Sequence, residues 1–189
     1  MPKIIRDIEN KIFVEATYIF SQKGYHGTDM KAIAKACGIA VGTLYNYYPN
    51  KKSLYMDVFL KSWNNTINKL KKVSAKEGKD KEILKEFVRV FYEDTEARNG
   101  LGNDVKILSK KGDKDFDSIA KELFSNIINI TISRFKLKEE FRNTEDILTR
   151  ILSIWFSGQF SLTTDFSNKK EQNMEFLYST IKNYFELQN

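Results

Sequence analysis

The chain has 189 residues, 41% of them hydrophobic and 30% charged, with a formal net charge of +6. This is the balance of a soluble globular protein with room for one large domain or a small one joined to a larger. One cysteine excludes an intramolecular disulfide and fits a reducing cytoplasm, and one histidine means that any histidine-built catalytic or metal site would rest on His26 alone. The stretch MPKIIRDIENKIF lacks the apolar core of a signal peptide, and no apolar run approaches the roughly 18 residues of a membrane span. The charge is unevenly spread: residues 1–72 carry 12 Lys/Arg against 5 Asp/Glu, and residues 73–189 carry 19 against 20. The whole positive excess lies in the N-terminal third, as expected of a polyanion-binding module attached to a nearly neutral body.

Few glycines, two prolines and helical apolar spacing nearly everywhere predict an all-α protein. Ile5, Ile8, Ile12, Phe13, Ala16, Ile19 and Phe20 form an amphipathic stripe over a first helix, 3–23, with Gly24 as its C-cap. Thr28 is placed to cap a short second helix whose apolar face is Met30, Ile33, Ala34 and Cys37, with Cys37 a small core residue. Gly38 ends it, because glycine takes the left-handed conformation most cheaply. A third helix follows at once, 41–47, so the connection is a short Gly-containing turn, a helix-turn-helix. In such a motif the second helix enters the DNA major groove. Its outward positions are Val41, Thr43, Asn46 and Tyr47, while Leu44, Ile39 and Tyr48 turn inward.

Asn50 is placed to cap a long fourth helix that carries Leu54, Tyr55, Val58, Phe59, Trp63, Ile67 and Leu70. Lys51 and Lys52 in its first turn oppose the helix dipole, a penalty that a bound phosphate would reverse. The polar stretch 74–82 marks a boundary, giving a DNA-binding part at 1–50, a connecting helix at 51–73 and a C-terminal domain at 74–189. Five further helices are expected there: 81–98, 102–110, 114–136, one capped by Asn143 or Thr144 and ending near Thr164, and 169–187. That makes about nine in all. The final two are apolar on more than one side, so they need two buried faces, one for the core and one for something else.

At the helix-turn-helix the chain strongly resembles the TetR/AcrR family of bacterial transcriptional regulators. Gly24, Tyr25 and Thr28 match the family's lead-in, and Ile33, Ala34, Gly42, Leu44, Tyr45, Tyr47 and Lys51 match the body of its motif in position and type. The chain departs from the pattern in carrying Cys37 before Gly38, Ala40 where a serine usually caps the recognition helix, and Tyr48 in place of phenylalanine. The resemblance covers roughly the first third of the chain.

The resemblance implies a homodimer on a palindromic operator in double-stranded DNA, released when a small molecule binds the C-terminal domain. The second face of the last two helices would then be the dimer interface, with Ile151, Trp155, Leu162, Leu177, Ile181 and Tyr184 as candidates. Two recognition helices about 34–36 Å apart would read adjacent turns of the groove. Thr43, Asn46 and Tyr47 are the candidates for base edges, since asparagine can pair with adenine and a threonine methyl can pack on thymine. By resemblance, Thr28, Tyr45 and Lys51 would hold phosphates, and Gly42 would let the backbone approach. Trp63, Phe87, Phe91, Phe124, Ile128, Trp155, Phe156 and Gln159 are candidates to line an effector site, for which an apolar or aromatic molecule is expected. No paired carboxylates, nucleophile–base pair or metal set marks an enzyme, and no cofactor is expected. The rival function is an all-helical interaction module that no longer reads DNA.

Overall fold

The computed structural model describes residues 7–98, 101, 114–144 and 146–188. Among these are nine α-helices: α1 (Ile8–Lys23), α2 (Met30–Cys37), α3 (Val41–Tyr47), α4 (Lys51–Ser74), α5 (Asp80–Arg98), α6 (Lys114–Arg134), α7 (Glu139–Arg142), α8 (Ile147–Thr164) and α9 (Lys170–Ile181). The start of the first expected helix and the whole of the one expected at 102–110 fall outside the described residues. No helix among the described residues is long and apolar enough to cross a membrane.

The described residues form two compact units that divide inside α4, between Trp63 and Asn64. The polar stretch 74–82 lies within the second unit. Its middle, 75–79, connects α4 to α5.

The first unit comprises α1–α3, α4 as far as Trp63, and Arg98 with Leu101. Its core is drawn from the set expected from the apolar spacing, although Ile8, Phe13, Ile19, Ile39 and Tyr48 are only half-buried. Ile12, Ala16 and Phe20 of α1 are buried with Met30, Ile33, Ala34 and Cys37 of α2, Leu44 of α3, and Leu54, Tyr55 and Val58 of α4. Each large side chain taken fully out of water contributes about 1.5–3 kcal/mol. Phe20 meets the Tyr55 ring edge-on at 4.9 Å, and Tyr25 meets it at 5.3 Å. The Arg98 guanidinium lies 3.9 Å over the Trp63 ring.

In the second unit, Ile67, Leu70 and Val73 of α4 are buried, as are Ile83, Leu84, Phe87, Val88, Phe91 and Tyr92 of α5. So are Leu123, Ile127 and Ile130 of α6, Ile151, Leu152 and Trp155 of α8, and Leu177, Tyr178 and Ile181 of α9. Asp94 ties α5 to α4 by accepting from Thr66 at 2.9 Å and Lys69 at 2.6 Å. Buried Asn173 staples the α8–α9 connection, its Nδ2 reaching the carbonyls of Leu162 and Phe166 and the Tyr92 hydroxyl within 3.0 Å.

Three local expectations are corrected. The helix expected at 114–136 stops at Arg134, and 136–137 instead form β1 (Lys136–Leu137), antiparallel to β2 (Phe185–Glu186). The last expected helix likewise ends at Ile181, before a 3-10 turn and β2. A pairing between residues about fifty positions apart leaves no periodic trace in either short segment. Neither Asn143 nor Thr144 caps α8; Asp146 precedes it in the left-handed region, at φ 56°, with no side-chain cap. Aspartate is among the few residues that tolerate that conformation.

Candidate nucleic-acid interface

The helix-turn-helix is fixed by local chemistry at each of its ends. Asp29, not Thr28, is the N-cap of α2, its carboxylate accepting from the Lys31 N–H at 3.1 Å. Thr28 is buried, and its hydroxyl donates back to the Gly24 carbonyl at 2.7 Å. Both residue types are good caps, and the carboxylate stays outside while the threonine closes the preceding turn. Gly38, at φ 67°, ends α2 in a Schellman arrangement: its own N–H reaches Lys35, and that of Ile39 reaches Ala34 at 3.0 Å. Ala40 precedes α3 with extended backbone and no side-chain cap. Asn50 and Ser53 cap α4 reciprocally, with Asn50 Oδ1 accepting from the Ser53 N–H at 2.8 Å and the Ser53 hydroxyl facing the Asn50 N–H.

On α3 only Leu44 is buried, at 0% exposure. Gly42, Thr43, Tyr45, Asn46 and Tyr47 are exposed and Val41 is half-buried. Tyr45 and Tyr47 present 47% and 42% of their surface and stand among the exposed large hydrophobic side chains of the described residues. A Cβ built on Gly42 would meet nothing within 4 Å, so neither packing nor backbone conformation within the chain demands a glycine there. A helix carries such a glycine at a cost of about 0.5–1 kcal/mol relative to alanine.

Two contacts tie this reading head to α4, and neither is visible in the sequence. Lys51 Nζ donates to the carbonyls of Tyr25 (2.7 Å) and Thr28 (2.8 Å) and lies 4.4 Å from the Tyr25 ring. It clamps the loop before α2 to the first turn of α4. Two of its three N–H donors are thereby directed into the protein. The other tether is Tyr48, whose hydroxyl donates to Asp57 Oδ2 at 2.5 Å, while Asp57 also pairs with Lys61 at 2.9 Å. Burial, then the hydrogen bond to Asp57 and the charges of Asp57 and Glu9, push the Tyr48 phenol well above the usual tyrosine range. Cys37 is fully buried, and its thiol is also pushed up, chiefly by burial, as befits a packing residue. His26 is exposed in the loop, edge-on to Tyr25.

Of the effector candidates, Phe91, Phe124, Trp155, Phe156 and Gln159 come together in the second unit. Phe91 stacks on Trp155 at 5.1 Å and meets Phe156 edge-on at 4.9 Å; Phe124 lies 5.0 Å from Phe156. Gln159 Nε2 donates to the Phe91 carbonyl at 2.9 Å. Phe87 is buried with its ring against Phe135 at 6.2 Å, Ile128 is half-buried, and Trp63 belongs to the first unit.

Of the interface candidates, Ile151, Trp155, Leu177 and Ile181 are at most 7% exposed, each buried within the chain's own fold. Leu162 and Tyr184 are half-buried. Among the described side chains, the large apolar ones that α8 and α9 leave in solvent are Ile154, 73% exposed, and Phe176, 60% exposed. At about 100° per residue these lie roughly a third of a turn from the centres of the buried stripes. Apolar content alone could not tell the two faces apart.

Residues 12–58 match the family described as bacterial regulatory proteins, tetR family. Over 173 residues the chain is 23% identical to the transcriptional repressor KstR of Rhodococcus jostii, covering 88% of this chain and 81% of KstR. It is 28% identical over 89 residues to the uncharacterised regulator YuxN of Bacillus subtilis, covering 47% of this chain but only 31% of YuxN. Its fold is similar to that of the transcriptional regulator FadR of Bacillus subtilis, solved in complex with stearoyl-CoA, with a TM-score of 0.65 at 18% identity over 90% of this chain and 98% of FadR. A helix-turn-helix with its reading face open, followed by a helical body, defines a DNA-binding regulator fold. Residues 12–58 are thus a helix-turn-helix of the tetR family, carried on a chain that shares its fold with known transcriptional regulators.

Proposed function

We propose that this protein is a ligand-responsive transcriptional repressor that binds a palindromic operator as a homodimer and is released by a small apolar or aromatic molecule. The observation that carries the reading is α3. One buried leucine locks it, and the rest of its surface is left open on the unit that holds the chain's whole positive excess. Thr43, Asn46 and Tyr47 face base edges and Gly42 admits the backbone, with Val41 and Tyr45 against the groove wall and sugar-phosphate backbone. Thr28 and Lys51 serve by holding α2 and α4 together under the phosphates. The exposed Ile154 and Phe176 meet their counterparts in a second copy.

Release follows from a population shift. The effector binds better to dimers whose reading heads are wrongly spaced, and DNA affinity falls by that difference. KstR is named a repressor, which supports repression, and FadR was solved with stearoyl-CoA, whose acyl chain supports an effector with a long apolar part. A cytoplasmic, non-enzymatic role goes with this reading. The test is selection of bound duplexes from a random DNA pool at near-physiological salt. An enriched palindrome is expected, and Asn46→Ala should lose about 1–3 kcal/mol of preference at one base pair in each half-site. Weak, salt-sensitive binding without enrichment would point instead to a helical interaction module.

A further inference from the structure

Trp155 and Gln159 lie one turn apart on α8, 5% and 1% exposed, and both touch Phe91: the indole stacks on its ring and the amide donates to its carbonyl. Each also keeps one buried polar atom with no hydrogen-bond partner among the described residues, Trp155 Nε1 and Gln159 Oε1. Buried polar atoms in folded proteins are paired as a rule, so an orphan donor and an orphan acceptor beside the same phenylalanine call for a common explanation. The amide cannot turn over to relieve its own orphan, because that would set Oε1 against the Phe91 carbonyl oxygen. The open valences are therefore fixed as one N–H donor and one acceptor. Phe91, Phe124 and Phe156 form the aromatic wall beside them.

We propose, resting on the effector reading above, that this pair receives the polar end of the effector, and that this end is an uncharged group able to donate and accept at once, such as a primary amide, a lactam or a phenol. Its N–H or O–H donates to Gln159 Oε1, and its oxygen accepts from Trp155 Nε1. A carboxylate fits poorly, since it would oppose its charge to the Gln159 oxygen and lose its hydration to an aromatic wall. The apolar remainder lies against the phenylalanines.

The test uses the full chain without DNA, labelled with nitrogen-15, and two probes of one shape, 4-phenylbutanamide and 4-phenylbutyrate, at pH 8. Trp155→Phe assigns the indole resonance. The amide should shift the Trp155 N–H signal and bind at least about tenfold more tightly than the carboxylate, the value of one hydrogen bond gained or lost. Gln159→Met should erase that preference, and Trp155→Phe should weaken amide binding about tenfold. Failure of the amide to bind, equal binding of the two probes, or a Trp155→Phe variant that binds the amide as tightly as the parent would overturn the proposal. Amide binding with this pattern but no loss of DNA affinity would leave the site standing and remove the repressor mechanism.

Discussion

The family motif suggests that Lys51 holds a DNA phosphate, whereas the structure turns its ammonium inward, and Lys51→Met separates the two roles. The substitution keeps most of the aliphatic stem and removes two hydrogen bonds of 2.7 and 2.8 Å together with the contact over the Tyr25 ring. Hydrogen bonds to a charged group contribute about 1.5–3 kcal/mol each. Lys51 is only half-buried, and water can partly replace it at both carbonyls, so a total of about 2–3 kcal/mol is expected. With a urea dependence of about 1–3 kcal/mol per molar, the unfolding midpoint should fall by roughly 1 M. DNA binding, measured where the variant remains folded, should keep its salt dependence. A lost phosphate contact would instead flatten the log–log slope by about 0.9. A variant as stable as the parent but with the flatter slope would refute the clamp and restore the phosphate role.

Gly42→Ala should stabilise the protein by about 0.5–1 kcal/mol in chemical denaturation, since the new methyl meets nothing within 4 Å, and should still weaken operator binding. Gain or retention of affinity would mean that α3 does not approach DNA at this residue. Tyr48 yields a pH signature. Its phenol is raised in the folded protein, so its contribution is complete below the unfolded value of about 10 and is lost as pH rises through the folded value. The stability difference between the parent and Tyr48→Phe should therefore shrink above about pH 10, and a difference that grows there would show the phenol to be ionised in the fold. Ile154→Glu and Phe176→Glu should each leave the melting temperature of the subunit nearly unchanged, because the parent side chains are 73% and 60% exposed, yet shift sedimentation toward monomer. An unaltered dimer in both would place the interface elsewhere.

Legibility in the sequence followed the range of the interactions. Gly38 and Asn50 mark their helix ends correctly because caps are satisfied by atoms within five residues, and Leu44 is the inward residue of α3 because spacing alone demands it. Thr28 and Asp29 are equally good caps by residue type, and only the fold shows that the threonine hydroxyl is needed elsewhere. The Lys51 clamp and the Tyr48–Asp57 tether join residues up to 26 positions apart through atoms that no periodicity records. At the C-terminal end the limit has another cause. Helices that are apolar on two sides announce two partners without saying which side faces which, so spacing alone does not separate buried Ile151 and Leu177 from exposed Ile154 and Phe176.

These tethers bear on how a reading head can be repositioned without being unfolded. Lys51 holds the entrance to α2, and Asp57 holds the residue that follows α3, both from the first two turns of α4. The helix-turn-helix is thus tied to those turns at both ends, and in the proposed mechanism a change in the direction of α4 would carry Thr43, Asn46 and Tyr47 with it. α4 also contributes Asn64–Ser74 to the second unit, where Asp94 of α5 grips it through Thr66 and Lys69. Phe91, which packs on Trp155 and holds Gln159, lies on that same α5, one turn before Asp94. A ligand seated on Trp155 and Gln159 therefore acts on a helix that is hydrogen-bonded to α4. The physical link from effector to operator in the proposed mechanism is this short chain of side chains.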